Sequence, residues 1–426
     1  MPQGQITMNT LLIKNVSLEG KITDILVEGN KISRIGSGIA ADAGKTLQCN
    51  GHLAAVVPFY NTHTHTAMTL LRGYADDLAL FTWLNEHIWP AEAKMDAADI
   101  YAGTRLGILE MIKSGCCFFN EMYWYSAEAV RAAGEMGVRA DIGLVHLALP
   151  GSSTARSIDK IRADALELAK DLPAGVRIAL APHAIYTVCE SSLRDVTAVA
   201  EELKMPLHIH CSETLREVED CRREHNNMTP VEYLDSVGLI KEGTLLAHCV
   251  HLTDHDRKII AKRKAVISHC PVSNMKLCSG TFDLQAALGA GCRVTIGTDG
   301  ASSNNNLSMM EEMKFAALAA KLKSGDPTAG KDEDVFRCAT VNGASYAGVN
   351  AGIAEGCDAD ILLVELDHCR MVGDYNLIAN LVYSADSSVV HSLICNGRVI
   401  MENHRVPGEE EIISEARRCC DKFRRP

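Results

Sequence analysis

With 426 residues, 47% of them apolar and 23% charged, the chain has the balance of a globular protein and length enough for one large α/β domain plus a smaller one. A formal charge of −12 with no offsetting basic stripe excludes nucleic acid as the expected partner, and no apolar run approaches the roughly 18 residues that span a bilayer. Sixteen cysteines without a repeated spacing, and no charged-then-apolar leader from Met1 to Leu12, point to reduced thiols and a cytoplasmic location.

The chain opens in short strands without helices between them: Leu11-Leu12-Ile13, Asp24-Ile25-Leu26-Val27 and Lys31-Ile32-Ser33-Arg34-Ile35. Glu28-Gly29-Asn30 supplies the hairpin turn between the last two. The apolar run Val56-Val57-Pro58-Phe59-Tyr60 follows, and directly after it Asn61-Thr62-His63-Thr64-His65. Strand side chains alternate faces, so His63 and His65 point one way and Thr62 and Thr64 the other. Two imidazoles on one side of a strand end can share a metal ion, although a chain with sixteen histidines also produces such a spacing by chance.

Strands and helices then alternate at roughly 30 to 45 residues per unit, the rhythm of a (β/α) chain. Asp96 caps a helix that turns Ile100, Ile108, Met111 and Ile112 inward and stops at Gly115. Another runs from Ser192 with Val196, Val199, Ala200 and Leu203 on one face, and a third starts at Thr229-Pro230 and ends near Gly238. Apolar strand candidates lie between them at 116–120, 139–145, 177–181, 207–210, 244–248, 265–269 and 293–298. With 56–60 they make eight, which implies a (β/α)₈ TIM-type barrel over residues 57–358, with a doubly wound open sheet as its rival. The tail returns to hairpins, with Asp360-Ile361-Leu362-Leu363-Val364, 389–395, the Asn396-Gly397 turn and Val399-Ile400-Met401. Residues 1–56 and 359–426 are therefore expected to build one small β-sandwich domain, and Lys422-Phe423-Arg424-Arg425-Pro426 reads as a solvated tail.

Reactive residues of a parallel barrel gather at the C-terminal ends of its strands. Those ends carry His63, His65, His183, His210, His248, His269 and Asp299. Neutral imidazoles suit zinc or iron(II), and the Asp299 carboxylate can bind the ion or act as a base toward water. Glu213, three residues past His210, can turn back over such an ion; the plain alternative is an acid favoured by the dipole of a helix starting near Thr214.

Together, Asn61-Thr62-His63-Thr64-His65, His210 with Glu213, Ala247-His248-Cys249, Ser268-His269-Cys270-Pro271-Val272-Ser273-Asn274 and Gly297-Thr298-Asp299 resemble the amidohydrolase superfamily, in its cytosine-deaminase-like branch. The resemblance covers nearly the whole chain, with the motifs in family order. Leu71-Arg72-Gly73-Tyr74-Ala75-Asp76-Asp77-Leu78, Trp83-Leu84-Asn85-Glu86, Trp89-Pro90-Ala91-Glu92 and Gly300-Ala301-Ser302-Ser303-Asn304-Asn305 are similar to the 5′-methylthioadenosine/S-adenosylhomocysteine deaminases of that branch. Ala181-Pro182-His183 has no lysine at the end of the fourth strand, which within this resemblance indicates the mononuclear deaminases.

The resemblance implies a metal-dependent hydrolase of cyclic amidines. His63, His65, His210 and Asp299 would hold one divalent ion, expected to be zinc, with iron(II) or manganese as alternatives. Glu92, Trp83, Arg156, His183 and Glu213 would contact a small-molecule substrate, with His248 beside the attacking water. For Arg156, in the Ser152-Ser153-Thr154-Ala155 loop, a solvated loop arginine is the competing reading. The implied reaction is hydrolytic deamination of an adenosine-type nucleoside (5′-methylthioadenosine, S-adenosylhomocysteine or adenosine) to the inosine-type product and ammonia. Asp299 would take the water's proton and Glu213 would protonate ring nitrogen N1. The alternative is a hydrolase of a guanine, pterin or triazine ring, which would share the metal ligands and differ at Glu92, Trp83 and Arg156. Association into a homo-oligomer is left open.

Overall fold

Pro58 marks the boundary between two sheets. In the computed structural model, which describes residues 10–148, 157–373 and 375–424, Leu53–Val56 pairs antiparallel with Ile361–Glu365. Phe59–His65 instead pairs parallel with Cys116–Tyr123. A proline has no N–H to give to a ladder. The strand expected at 56–60 is thus corrected to two strand ends: Val56 closes one sheet and Phe59 opens the other.

The first sheet runs in the order Arg398–Met401, Val390–Cys395, Ile361–Glu365, Leu53–Val56, Thr10–Leu18, Lys21–Glu28, Lys31–Gly36, with Lys45–Gln48 added beside Thr10–Leu18. It draws strands from both ends of the chain. The hairpin at Gly29-Asn30 sets Glu28 opposite Lys31. Ile13, Val16, Ile25, Val27, Ile32, Ile361 and Leu363 fill a core of their own on this sheet.

The remaining strands are parallel and alternate with helices. Phe59–His65, Cys116–Tyr123, Arg139–His146 and Val176–Pro182 form one ladder. His208–Cys211, Leu245–His248, Val266–His269 and Arg293–Ile296 form another. Leu180 bridges Leu207 in parallel between the two ladders, and Asp299–Gly300 pairs with Thr64 and His65 at the far side. The strand expected at 116–120 continues to Tyr123, and this extension brings Glu121 and Tyr123 toward the site end.

Local signals explain the helices that hold these strands. Asp96 accepts from the backbone N–H groups of Ala98 and Asp99, and Asp99 reciprocates to the Asp96 N–H, closing a capping box ahead of Ala97–Lys113. Thr229 and Glu232 do the same for Pro230–Ser236, with proline in the first turn. The helix expected from Ser192 begins earlier, at Glu190.

The expected solvated tail holds for Arg424 but not for Phe423, which is buried, or for Lys422, which is ion-paired; Arg425 and Pro426 lie outside the described residues. Helix Glu409–Cys420 packs along Ala97–Lys113, with Arg105 to Glu415 at 2.8 Å and Lys113 to Glu409 at 3.0 Å. Just beyond it, the Lys422 ammonium reaches Asp96 at 2.8 Å and Asp99 at 2.7 Å, and Phe423 is buried. Ile412 and Ala416 on the buried face of this helix give it something to bury, which three terminal charges read alone do not reveal. Among the described residues, no helix is long and apolar enough to cross a membrane.

Candidate metal centre and active site

The strand ends bring a buried group of imidazoles onto one carboxylate. His63 Nε2 and His65 Nε2 lie 3.3 and 3.2 Å from Asp299 Oδ1, and His210 Nε2 is 3.3 Å from His65 Nε2. Ligand atoms of His63, His210, His248 and Asp299 all fall within 4.8 Å of one another. His248 therefore stands in the tightest grouping, with His65 against the same Asp299 oxygen.

Each ring is oriented from behind. His65 Nδ1 meets the Met122 carbonyl at 2.6 Å, His210 Nδ1 the His183 carbonyl at 2.8 Å, and His248 Nδ1 the Asn274 Oδ1 at 2.9 Å. A carbonyl oxygen only accepts, so Nδ1 carries the proton in His65 and His210, and Nε2 is the atom turned inward. His63 Nε2 is buried and faces Asp299 Oδ1 at 3.3 Å. Converging imidazole nitrogens around a carboxylate form a donor set that fits one divalent cation.

The electrostatics agree. Burial pushes His63 down to about 4 and holds His210 well below the usual imidazole range. Burial also works against the charge on His65, but the hydrogen bond and charge of Asp299, helped by Glu121, raise that ring to about 9. The two rings share one carboxylate, and the charge on His65 adds to burial in lowering His63. Burial would raise Asp299 as well, yet its two histidine partners hold it well below the ordinary carboxylate range.

Asp299 and His248 are aimed by unusual backbone. Asp299 has φ 60°, His248 φ 70° and Ser212 φ 51°, left-handed conformations that cost of order 1–3 kcal/mol each in a residue with a side chain. Such strain is kept where a strand must end abruptly and present a side chain. Asp299 Oδ2 accepts from Ser273 Oγ at 2.6 Å and Ser303 Oγ at 2.8 Å, which leaves Oδ1 for the histidines.

Glu213 sits before the helix rather than in it. Thr214 is the cap of Leu215–Glu224, and the Glu213 carboxylate turns back, accepting from Ser279 Oγ at 3.1 Å and standing 3.9 Å from His248 Nε2. Its backbone N–H and that of Ser212 are both held by the Glu217 carboxylate, at 2.8 and 3.0 Å. Over this group opens a cleft, continuous with solvent, whose walls include Trp83, Glu92, His183 and Glu213.

Residues 56–400 match the amidohydrolase family. The chain belongs to the amidohydrolase family. It is 43% identical over 417 residues to 5-methylthioadenosine/S-adenosylhomocysteine deaminase 1 of Archaeoglobus fulgidus, covering 94% of this chain and 95% of that one. It is 42% identical over 398 residues to the 5′-deoxyadenosine deaminase of Methanothermobacter thermautotrophicus, covering 92% and 91%. Among solved structures, it resembles an adenosine deaminase from Xanthomonas campestris with bound zinc, with a TM-score of 0.91 and 30% identity over 97% of this chain and 98% of that one. These relatives agree with the resemblance seen in the motifs.

The remaining walls of the cleft in this amidohydrolase are less uniform. Glu92 ends the short helix Trp89–Glu92, and its Oε1 accepts from the Tyr123 hydroxyl at 2.7 Å. Burial raises Glu92, against the Tyr123 hydrogen bond. Trp83 opens a wide π-helical turn, Trp83–Ile88, and is buried with its indole N–H unpartnered. His183 Nδ1 pairs with Thr187 Oγ1 at 2.9 Å, and burial lowers its ring to about 3. His269 stands apart, packed on Phe282 with ring centroids 4.7 Å apart. Arg156 lies outside the described residues.

Several residues escaped sequence reasoning. Tyr123 and Trp124 line the cleft because the second parallel strand is longer than its apolar run suggested; the strand-end rule applied to 116–123 would have pointed to them. Glu121 accepts from the Thr66 N–H at 2.9 Å, directly behind His65, and burial raises its pKa to about 7. Ser273 and Ser303, which bond Asp299, and Ser279, which bonds Glu213, have no spacing that signals these contacts.

Proposed function

We propose that this amidohydrolase removes the 6-amino group of adenosine-type nucleosides by hydrolysis, giving ammonia and the inosine-type product. The observation that carries the proposal is Glu213: a buried carboxylate beside His248, next to a histidine–aspartate cluster, lining a cleft that opens to solvent. Relatives that cover more than nine-tenths of the chain are named for deaminating 5-methylthioadenosine, S-adenosylhomocysteine and 5′-deoxyadenosine. Those substrates share adenine and the ribose 2′- and 3′-hydroxyls and differ at the 5′ position.

His63, His65, His210 and Asp299 are assigned as ligands of one divalent ion, zinc or alternatively iron(II) or manganese. Such an ion would supply Lewis-acid activation of a water. The Asp299 carboxylate, its second oxygen steadied by Ser273 and Ser303, would accept a proton from the attacking water; that proton leaves with the amino group as ammonia, and the proton of the added hydroxyl restores the acid that protonated N1. His248, fixed by Asn274, turns Nε2 toward the attacked carbon and steadies the oxygen that adds there. Glu213 delivers a proton to ring nitrogen N1; Ser279 occupies its Oε1, which leaves Oε2 for the substrate. Glu92 accepts from the ribose hydroxyls, Trp83 walls the cleft and neutral His183 contacts the base. Arg156 keeps its assignment as a substrate contact on sequence alone.

The same reading includes the architecture. The Leu180–Leu207 bridge and the pairing of Asp299–Gly300 with Thr64 and His65 support closure of the eight parallel strands into a (β/α)₈ barrel over residues 57–358. Strands drawn from both chain ends into one sheet support a single small β domain of residues 1–56 and 359–426, and the folding of that sheet into a sandwich is part of the same proposal.

The test is ammonia release from methylthioadenosine, S-adenosylhomocysteine, 5′-deoxyadenosine, adenosine, guanine and cytosine. Turnover of the adenine nucleosides and not of the bare bases is expected. Turnover of guanine alone would favour the other ring hydrolases.

A further inference from the structure

His208 lies two residues before His210 on the same strand, fully buried, beneath the cleft and not on its wall. Its Nε2 is 2.9 Å from His63 Nδ1. The rings meet edge-on, with centroids 4.9 Å apart and planes at 84°. Its own Nδ1 has no hydrogen-bond partner.

The contrast with the neighbouring rings gives this contact its meaning. His65, His210 and His248 each direct Nδ1 to an oxygen, of Met122, His183 and Asn274 respectively. An oxygen without a hydrogen cannot donate, so it fixes the proton on Nδ1 and the lone pair on Nε2. An imidazole nitrogen can do either. The tautomer of His63 is therefore coupled to that of His208. If His208 Nε2 bears the lone pair, His63 holds its proton on Nδ1 and turns a bare Nε2 toward Asp299 and the cluster. If His208 Nε2 bears the proton, neutral His63 is protonated on Nε2 and is lost as a ligand.

We propose that His208 is a positioning residue that accepts the Nδ1–H of His63 and so fixes His63 as a ligand of the divalent ion; this rests on the metal-centre reading above. His208 then keeps its own proton on Nδ1. Its place on the strand that also carries His210 ties the orientation of two ligands to one backbone segment, since a shift of that strand moves both.

The test measures zinc affinity of the full chain by competition with a chelator, in the parent, His208→Leu and His208→Gln. Leucine fills the space without an acceptor, whereas the glutamine amide oxygen reaches the position of Nε2. The leucine variant should bind zinc roughly 10- to 100-fold more weakly, the usual cost of losing a partner behind a metal-bound imidazole, and glutamine should recover most of that loss. Parental affinity in the leucine variant, or glutamine no better than leucine, would overturn the proposal. Nitrogen-15 spectra of histidine in the zinc-loaded parent provide a readout independent of any variant's folding. A coupling across the hydrogen bond from protonated His63 Nδ1 to bare His208 Nε2 is expected, and a protonated His208 Nε2 would refute it. A parent that binds no zinc would instead remove the metal-centre reading.

Discussion

At Glu213 and Glu92 two carboxylates share one cleft but face different surroundings. Glu213 is 5% exposed, with Ser279 on one oxygen and the other toward His248. Glu213→Gln keeps shape and hydrogen bonding but removes the transferable proton, so turnover should fall by roughly 10²-fold or more with metal content unchanged. Steady-state kinetics beside metal analysis check this, and retained turnover would assign the acid elsewhere. Glu92 already accepts from Tyr123 through Oε1, so ribose hydroxyls would share the carboxylate with that phenol. Glu92→Ala should lower kcat/KM for ribonucleosides by roughly 10- to 100-fold, since a hydrogen bond to a charged group contributes about 1.5 to 3 kcal/mol. A 2′,3′-dideoxy nucleoside should be a poor substrate for the parent and nearly indifferent to the mutation. Equal losses on both would mean that Glu92 supports the cleft by holding Tyr123.

Among the elements, the helix Ala97–Lys113 joins distant parts of the chain. Its cap Asp96 satisfies the N–H groups of Ala98 and Asp99 and also receives Lys422 from beyond the last long helix. Asp96→Ala should therefore destabilise the protein by about 1 kcal/mol, a typical cost of losing an N-cap. The surface ion pair adds little to that. A lowered urea midpoint with unchanged kcat is the expected result, because Asp96 does not line the cleft.

For the molecule as a whole, the proposed ligand set implies one ion per chain. Several imidazoles converge on Asp299, and the end of the strand Val176–Pro182 is followed by His183, with no lysine there to bridge a second ion. Metal analysis should give one divalent ion per chain, turnover should vanish after chelation and return with zinc, and two ions both needed for turnover would contradict the assignment.

The order of residues by itself determined what depends on neighbours along the chain. The alternation of His63 and His65, the caps at Asp96 and Thr229, the two-residue hairpin turn and the apolar runs of the parallel strands are local, because propensity and periodicity act over a few residues. Tertiary structure decided the rest. It split the run around Pro58 between two sheets, since Val56 pairs with Leu362 and Phe59 with Cys116, partners far apart along the chain. It carried the strand from Cys116 as far as Tyr123, set Ser273 on Asp299, and placed His208 behind His63. It also tied Lys422 to the first long helix. Each of these contacts joins segments whose spacing along the chain has no period, so their geometry exists only once the backbone has folded.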